Sequence, residues 1–419
     1  MIYASLIERK ILFLLFACML VFIGCGKDND PNSLRSNDVG YYYAINNKQA
    51  SERLARIMYD NNTDAAEPVE RFKLVHISDA HLSDYSIDNH YKSPNNLLEA
   101  VSFANQPELK INAMAATGDH IGYESRIDAL SCMEAFYANL YTNNRIPTFP
   151  CHGNHDNNMT TNRKDLYLTT SELSNAFSNK GNYTLQRKSG KSYYYADVKN
   201  PMGGYIRFIA LDMLDQGANE INTVMNAIYS QEQISWLGNV ALKEGMTENH
   251  QVIILTHYPF QPSYSGFLCD GAYVHSWKMI PEIVEAFRTK QPIQQIYKDQ
   301  KGVFEPINVD FDFSDASGDF ICYLGGHAHV TARFQITGLS NQSADLPLQH
   351  MLLCTNMSPS EAGTVFNKVP RTSKSLQNNS FCIYVIDTRQ REIYITFFGA
   401  YLPSGMSTED YPAIQSITY

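Results

Sequence analysis

Charge is sparse in this chain of 419 residues and leans one way: 18% of residues are charged, with 33 Lys and Arg against 43 Asp and Glu, a formal net charge of -10. The basic footprint of a nucleic-acid binder is missing, and bulk electrostatics would repel a polyanion, so no nucleic-acid polymer is expected as a partner. After residue 25 no stretch approaches the roughly eighteen uninterrupted apolar residues of a membrane-spanning helix. No two cysteines are spaced as CxxC, which argues against a cysteine-based zinc site. There is no repeat of fixed period, and the 17 Pro and 23 Gly do not form a Gly/Pro repeat composition. Hydrophobic residues, at 44%, are too many for a disordered chain. The length suits one large domain or two to three smaller ones.

The N-terminus carries Arg9 and Lys10, an apolar run from Ile11 to Ile23, then Gly24-Cys25 and polar Gly26 to Asp30. Thirteen apolar residues are short for a transmembrane anchor and suit the core of a secretory signal over residues 1–25. Phe22-Ile23-Gly24-Cys25 resembles a bacterial lipobox, which implies lipidation of Cys25 and an exported protein tethered to the cell envelope on the periplasmic or surface side of the outer membrane. Membrane contact is then expected through the lipid anchor alone. Without Cys18 and Cys25 six cysteines remain. Cys151, Cys322, Cys354 and Cys382 lie in or beside apolar runs, so buried thiols are expected rather than a disulfide framework.

Residues 26–70 read as a tether and docking segment, with a helical pattern around Arg53 to Met58. From residue 71 to about 400, apolar runs alternate with helical periods, which predicts an α/β sheet domain. Residues 157–192 and 260–318 carry little strand signal and read as long insertions of the kind that face substrate. Phe381 to Asp387 and Ile393 to Phe398 read as a terminal hairpin, and residues 401–419 as a C-terminal tail.

Five polar clusters each follow an apolar run: Ser78-Asp79-Ala80-His81, Gly118-Asp119-His120, Gly153-Asn154-His155-Asp156, Thr256-His257-Tyr258 and Gly325-Gly326-His327-Ala328-His329. Open α/β sheets bind ligands just beyond the C-terminal ends of their strands, where all five would sit. Carboxylates, imidazoles and an amide without thiolate suit Mn, Fe, Zn, Co or Ni better than Mg or Ca. On an extended chain Asp79 and His81 would share one face by period two, as would His327 and His329. Taken singly, an Asp-x-His or a Gly-Asp is weak evidence; five clusters in order at strand ends are strong evidence of one site. His120, His76 and His152 read as packing or supporting residues, whereas Tyr258, Tyr85 and His275 are candidates for substrate-facing loop positions.

The order Asp79-Ala80-His81, Gly118-Asp119, Gly153-Asn154-His155-Asp156, His257 and Gly326-His327-Ala328-His329 resembles the calcineurin-like metallophosphoesterase superfamily. Ile77 to Leu82 looks like its class III cyclic-nucleotide phosphodiesterase branch, and less like the purple acid phosphatases. The resemblance implies a four-layer α/β/β/α sandwich whose second sheet is completed by C-terminal strands. It implies two divalent metal ions, with Mn, Fe or Zn favoured. Asp79, His81 and His329 would hold the first metal, Asn154, His257 and His327 the second, and Asp119 would bridge them. His155 would be a catalytic residue facing a small phosphate-ester substrate, and Asp156 would orient His155.

Charge then dictates the chemistry. Two divalent ions neutralise an anionic ester and lower the pKa of a bridging water, so a hydroxide attacks in line and His155 protonates the leaving group. The expected activity is hydrolysis of a phosphomonoester or phosphodiester. The alternative is a surface binding lipoprotein that keeps the fold without catalysis.

Overall fold

The computed structural model describes residues 39–58, 70–82, 93–122, 125–158, 164–177, 183, 185–187, 189–215, 229–260, 277–298, 304–357, 372, 374–402 and 406–419. The signal segment with Cys25, the loop residues Tyr85 and His275, and Cys269 lie outside these. Among the described residues no helix is long and apolar enough to cross a membrane.

The first sheet grows from three short parallel strands, β1 (Phe72–Ile77), β2 (Ala113–Thr117) and β3 (Thr148–Cys151). Every residue of the three is buried, as expected of parallel strands covered on both faces. Two helices connect them, α2 (Ser93–Ala104) and α3 (Arg126–Tyr141), preceded in the chain by α1 (Val39–Met58). Ser125 caps α3 by accepting from the Asp128 amide, a contact worth ~1 kcal/mol.

The second sheet begins with β4 (Gln186–Arg187), β5 (Tyr194–Lys199) and β6 (Tyr205–Ala210), which follow helix α4 (Thr170–Phe177). Helix α5 (Gln231–Trp236) and a π turn at Leu237–Ala241 lead into β7 (His250–Leu255). Next come helix α6 (Met279–Thr289), a hairpin of β8 (Ile293–Tyr297) and β9 (Ile307–Phe311), and β10 (Asp319–Gly325). Strands β11 (Ala332–Gln335) and β12 (His350–Leu353) complete this sheet in the order β11-β12-β10-β7-β6-β5-β4.

The chain then returns to the first sheet as β13 (Ser380–Asp387), β14 (Glu392–Gly399) and β15 (Ile414–Thr418), giving the order β15-β14-β13-β1-β2-β3. The C-terminal strands therefore extend the first sheet through β13 against β1, and the residues read as a tail carry its edge strand β15.

The sheets meet through aromatic rings, with Phe208 of β6 stacked on Phe149 of β3 at 4.6 Å and tilted against Phe72 of β1 at 6.2 Å. Outside the first sheet lie α1 and α2, whose Tyr43 and Phe103 pack on Phe398 of β14. Arg53 of α1 adds hydrogen bonds to the Thr396 hydroxyl and the Phe397 carbonyl, so this helix docks along its length, well beyond the short pattern around Arg53. Outside the second sheet, Trp236 of α5 packs on Tyr193 and Tyr195. The result is the mixed α/β/β/α arrangement of the metallophosphatase type.

The segment 260–318 is more structured than its weak strand signal suggests. Met279 to Arg288 of α6 are all buried, and the buried carboxylates are hydrogen-bonded. Glu282 accepts from the Tyr297 hydroxyl (2.5 Å) and the Ser340 amide (2.8 Å). Glu285 accepts from Arg288 (2.8 Å) and the Gln349 amide (2.6 Å). Gly238 in the π turn lets the Phe311 ring of β9 come so close that a Cβ there would lie 2.5 Å from it. Cys151, Cys322, Cys354 and Cys382 are buried free thiols, and Cys132 is buried as well.

Candidate metal centre

The parallel strands β1, β2, β3, β7 and β10 release their loops at one edge, where the two sheets face each other. The loop after β1 is tied to the loop after β2 by main-chain bonds: Asp79 N donates to Gly118 O (3.0 Å) and His81 N to Asp119 O (2.9 Å). The loops after β7 and β10 are joined by Gly326 N donating to His257 O (3.0 Å). Across the sheets, His327 N donates to Asp79 Oδ1 (2.9 Å). This lacing brings Asp79, His81, Asp119, Asn154, His257, His327 and His329 together.

Two groups of side chains could each hold a metal ion: Asp79, His81, Asp119 and His329, and Asp119, His257 and His327. Asp119 belongs to both. Within the first group, His81 Nε2 lies 3.1 Å from His329 Nε2 and 3.5 Å from Asp119 Oδ2, and His329 Nε2 lies 3.5 Å from Asp79 Oδ1. Within the second, His257 Nε2 lies 3.1 Å from Asp119 Oδ2, without hydrogen-bond alignment between the two atoms. Asn154 adds its Oδ1 to this group, 3.0 Å from His327 Nδ1. Two ligand atoms each about 2.1 Å from one cation and roughly at right angles stand about 3 Å apart, so these spacings suit shared ions.

Orphaned atoms support the same fit. Asp79 Oδ2, Asp119 Oδ2, His257 Nε2 and His327 Nε2 are buried and have no hydrogen-bond partner, a costly arrangement unless something else satisfies them. Charge is equally poised. Burial pushes the Asp79 carboxyl up to about 8, with the adjacent Asp119 adding to the effect. Burial also works against ionised Asp119, yet His257 and His155 hold it well below the usual carboxylate range. His257 is raised to about 9 against its own burial because Asp119 faces it. A divalent cation would relieve both carboxylates, so the donor set fits a pair of metals.

The backbone route to this geometry differs from simple alternation. Asp79 (φ 53°), His81 (45°), Asp119 (50°), His327 (68°) and His329 (50°) all adopt left-handed backbone beyond the strand ends. The pairs Asp79/His81 and His327/His329 thus reach the centre through turns, because β1 ends at Ile77 and β10 at Gly325. Aspartate and histidine are among the non-glycine residues that tolerate this region best.

Supporting contacts fix the ring orientations. His257 Nδ1 donates to the Thr117 carbonyl (2.7 Å), which sets the tautomer and aims Nε2 at the centre. Thr117 is in turn held by His76, whose Nε2 lies 2.8 Å from the Thr117 hydroxyl and whose Nδ1 lies 3.1 Å from Tyr384. His155 places its backbone amide on Asp119 Oδ1 (2.8 Å), with its ring partly exposed and its Nε2 3.9 Å from Asp119 Oδ2.

Asp156 departs from the role expected of it. Its oxygens accept from the His120 amide (2.6 Å), the Ile121 amide (3.3 Å) and the Gly153 amide (2.7 Å), so it braces the loops after β2 and β3 rather than orienting the His155 ring. His120 turns away from the centre and stacks on Phe136 at 4.0 Å.

Two contributors were not singled out from the sequence. Asp212, beyond the end of β6, carries an oxygen 3.4 Å from His152 Nδ1. Asn356, beyond the end of β12, donates its backbone N–H to Ser78 O (2.6 Å). Both lie just past strand ends, the position that marked the five clusters. Tyr258 is buried beneath the centre, stacked on the His327 ring at 3.9 Å.

Of the comparisons with known proteins, the family match agrees with this geometry. Residues 72–331 match the family model described as calcineurin-like phosphoesterase. A solved structure described as "Structure of PhoD" is similar at 11% identity and a TM-score of 0.42, over 84% of this chain and 69% of that one. No curated protein matches.

Proposed function

The chain belongs to the calcineurin-like phosphoesterase family, metal-dependent enzymes, and from that premise we propose that it hydrolyses a small phosphomonoester or phosphodiester at a dinuclear centre, as an exported, lipid-tethered protein. One observation carries the reading: seven oxygen and nitrogen donors from five strand ends converge, with the Asp119 carboxylate common to both groups. Asp79, His81 and His329 would hold one cation, Asn154, His257 and His327 the other, with Asp119 between them. Two divalent ions held there, with Mn, Fe or Zn suited to the mixed donors, supply charge neutralisation for phosphate oxygens and a water acidic enough to attack near neutral pH.

The chain's own residues do the rest. His155 falls in neither metal group and keeps 18% of its side chain accessible, so it can reach a phosphate oxygen and pass a proton to the departing alkoxide. Its backbone amide, bonded to Asp119, keeps it at a fixed distance from the centre. Thr117 and Asp156 act by position, one aiming His257 and the other fixing the Gly153 loop. The stretch Ile77 to Leu82 favours the cyclic-nucleotide phosphodiesterase branch, and Gly24-Cys25 after the apolar run supports lipid tethering.

The test is a panel of aryl phosphate monoesters and diesters with added Mn, Zn or Fe, run on the wild type and on Asp119→Ala. Metal-dependent turnover lost in the variant is expected. Equal turnover by both proteins would sink the proposal.

A further inference from the structure

The loop after β7 delivers two consecutive aromatic rings with different tasks. His257 points into the centre, while Tyr258 lies 1% exposed with its ring face against the imidazole of His327, at 3.9 Å between centroids and 24° between planes. The Tyr258 ring also meets His257 edge to face at 6.0 Å, so it wedges between two imidazoles of the same metal group. The main-chain bond from Gly326 N to His257 O holds the two loops in register beneath it.

His327 needs such a contact. Its backbone sits at φ 68°, outside the β10 ladder, and the torsion that spins an imidazole about its Cβ–Cγ bond is broad. One edge of the ring is located by Asn154 Oδ1, 3.0 Å from Nδ1, while Nε2 is buried without a hydrogen bond. A swing of some 30° about that bond would carry a ring nitrogen by roughly 0.4–0.6 Å, enough to spoil a ligand that must sit within about 0.2 Å of its metal distance. A flat ring stacked on the imidazole face removes this freedom whichever nitrogen binds.

We infer that Tyr258 is a positioning residue for the second metal, acting through the plane of its ring on His327. The inference rests on the dinuclear reading above. It assigns the task to the ring face, so Tyr258→Phe should keep it, whereas Tyr258→Leu and Tyr258→Met fill the space without a flat surface.

The experiment is titration of chelator-stripped protein with Mn²⁺, followed by calorimetry and by electron paramagnetic resonance. Wild type and Tyr258→Phe should bind two Mn²⁺ and show the spin-coupled signal of a close pair. In the leucine and methionine variants one Mn²⁺ should bind tenfold or more weakly, the other within about threefold of wild type, and the coupled signal should vanish at two equivalents. Unchanged binding of both ions in the aliphatic variants overturns the inference, as does equal weakening of both ions or a loss in Tyr258→Phe as large as in Tyr258→Leu. If one aliphatic variant does not fold, the other decides. A wild-type protein that binds no Mn²⁺ pair would instead bring down the dinuclear reading itself.

Discussion

Gly153→Ala is a test of the centre that replaces none of its ligands. A Cβ built at Gly153 would lie 2.3 Å from both the backbone nitrogen and Oδ1 of Asp119, and 2.9 Å from Cγ of His257. Ordinary contacts to such atoms begin above 3 Å, so something must yield by about 1 Å. The neighbour is main chain rather than a flexible tip, and its side chain is the one shared by both metal groups. Misplacing a catalytic constellation by about 1 Å costs on the order of 10²-fold in rate, and overpacking costs roughly 1–3 kcal/mol in stability. A control separates steric from conformational effects. Gly338, at φ 76°, has nothing within 4 Å of its would-be Cβ, so Gly338→Ala bears only the backbone penalty of about 1–2 kcal/mol and should leave turnover unchanged. The assay is metal-dependent hydrolysis of an aryl phosphate together with bound Mn per chain. If Gly153→Ala retains activity within about threefold of wild type and still binds two ions, the close packing of the Gly153 loop on Asp119 is not what shapes the centre.

Three further outcomes follow from particular contacts. His155→Ala should lower kcat by about 10²- to 10⁴-fold while metal content stays at two ions, the signature of a lost proton donor; loss of metal along with activity would move His155 into the ligand set. Chelation should destabilise the fold, because four buried ligand atoms have no hydrogen-bond partner. At a thousandfold excess of metal over Kd each site contributes ~4 kcal/mol, visible as a melting temperature that climbs with added Mn. His76 makes the acid side steeper. Burial depresses its pKa to about 3, so the folded state stays neutral while the unfolded chain takes up a proton below its usual value near 6.5. The stability held above pH 6.5 is thus lost as pH falls towards 3, by roughly 2–3 kcal/mol at pH 4.5. Urea titrations at pH 7 and 4.5 should show that part of the acid loss disappearing in His76→Gln.

The site was more legible in the sequence than the architecture around it. Asp79, Asp119, Asn154, His257 and His329 stand out because each follows an apolar run, and a run of buried parallel strand needs no partner information to be recognised. What a linear reading lacks is the direction in which a loop bends. Asp156 lies next to His155 in the chain, but the turn at Gly153 swings its carboxylate back onto the amides of Gly153 and His120. The hairpin β8–β9 was missed because Gln294, Gln295 and Ile296 are all exposed in β8, so hydrophobic alternation fails there. Helix α6 was hidden for the opposite reason. It is buried all round, and its charged residues find partners on other segments, Glu282 on Tyr297 and Ser340, Glu285 on Gln349. Strand β15 pairs with β14 through Ile414 to Thr418, and its buried positions are polar Gln415 and apolar Ile417, so apolar alternation does not mark the element in the sequence.

Left-handed backbone at Asp79, His81, Asp119, His327 and His329 ties the fold to the chemistry. Each such residue costs of order 1–3 kcal/mol relative to relaxed backbone, and this strain is concentrated where the loops leave fully buried strands. A loop free to relax would take the extended route and carry Asp79 and His81 along the strand direction, away from the facing sheet. The bonds from Asp79 N to Gly118 O and from His327 N to Asp79 Oδ1 prevent that, and neither can form unless β1, β2 and β10 are already in place. The ligand positions are therefore held by bonds within and between the two sheets, the kind of preorganisation that metal-dependent phosphoester hydrolysis uses. It also explains why the ligand types are so restricted: aspartate and histidine combine metal-binding atoms with tolerance of positive φ, whereas a β-branched or aliphatic residue at these turns would add strain and offer no donor.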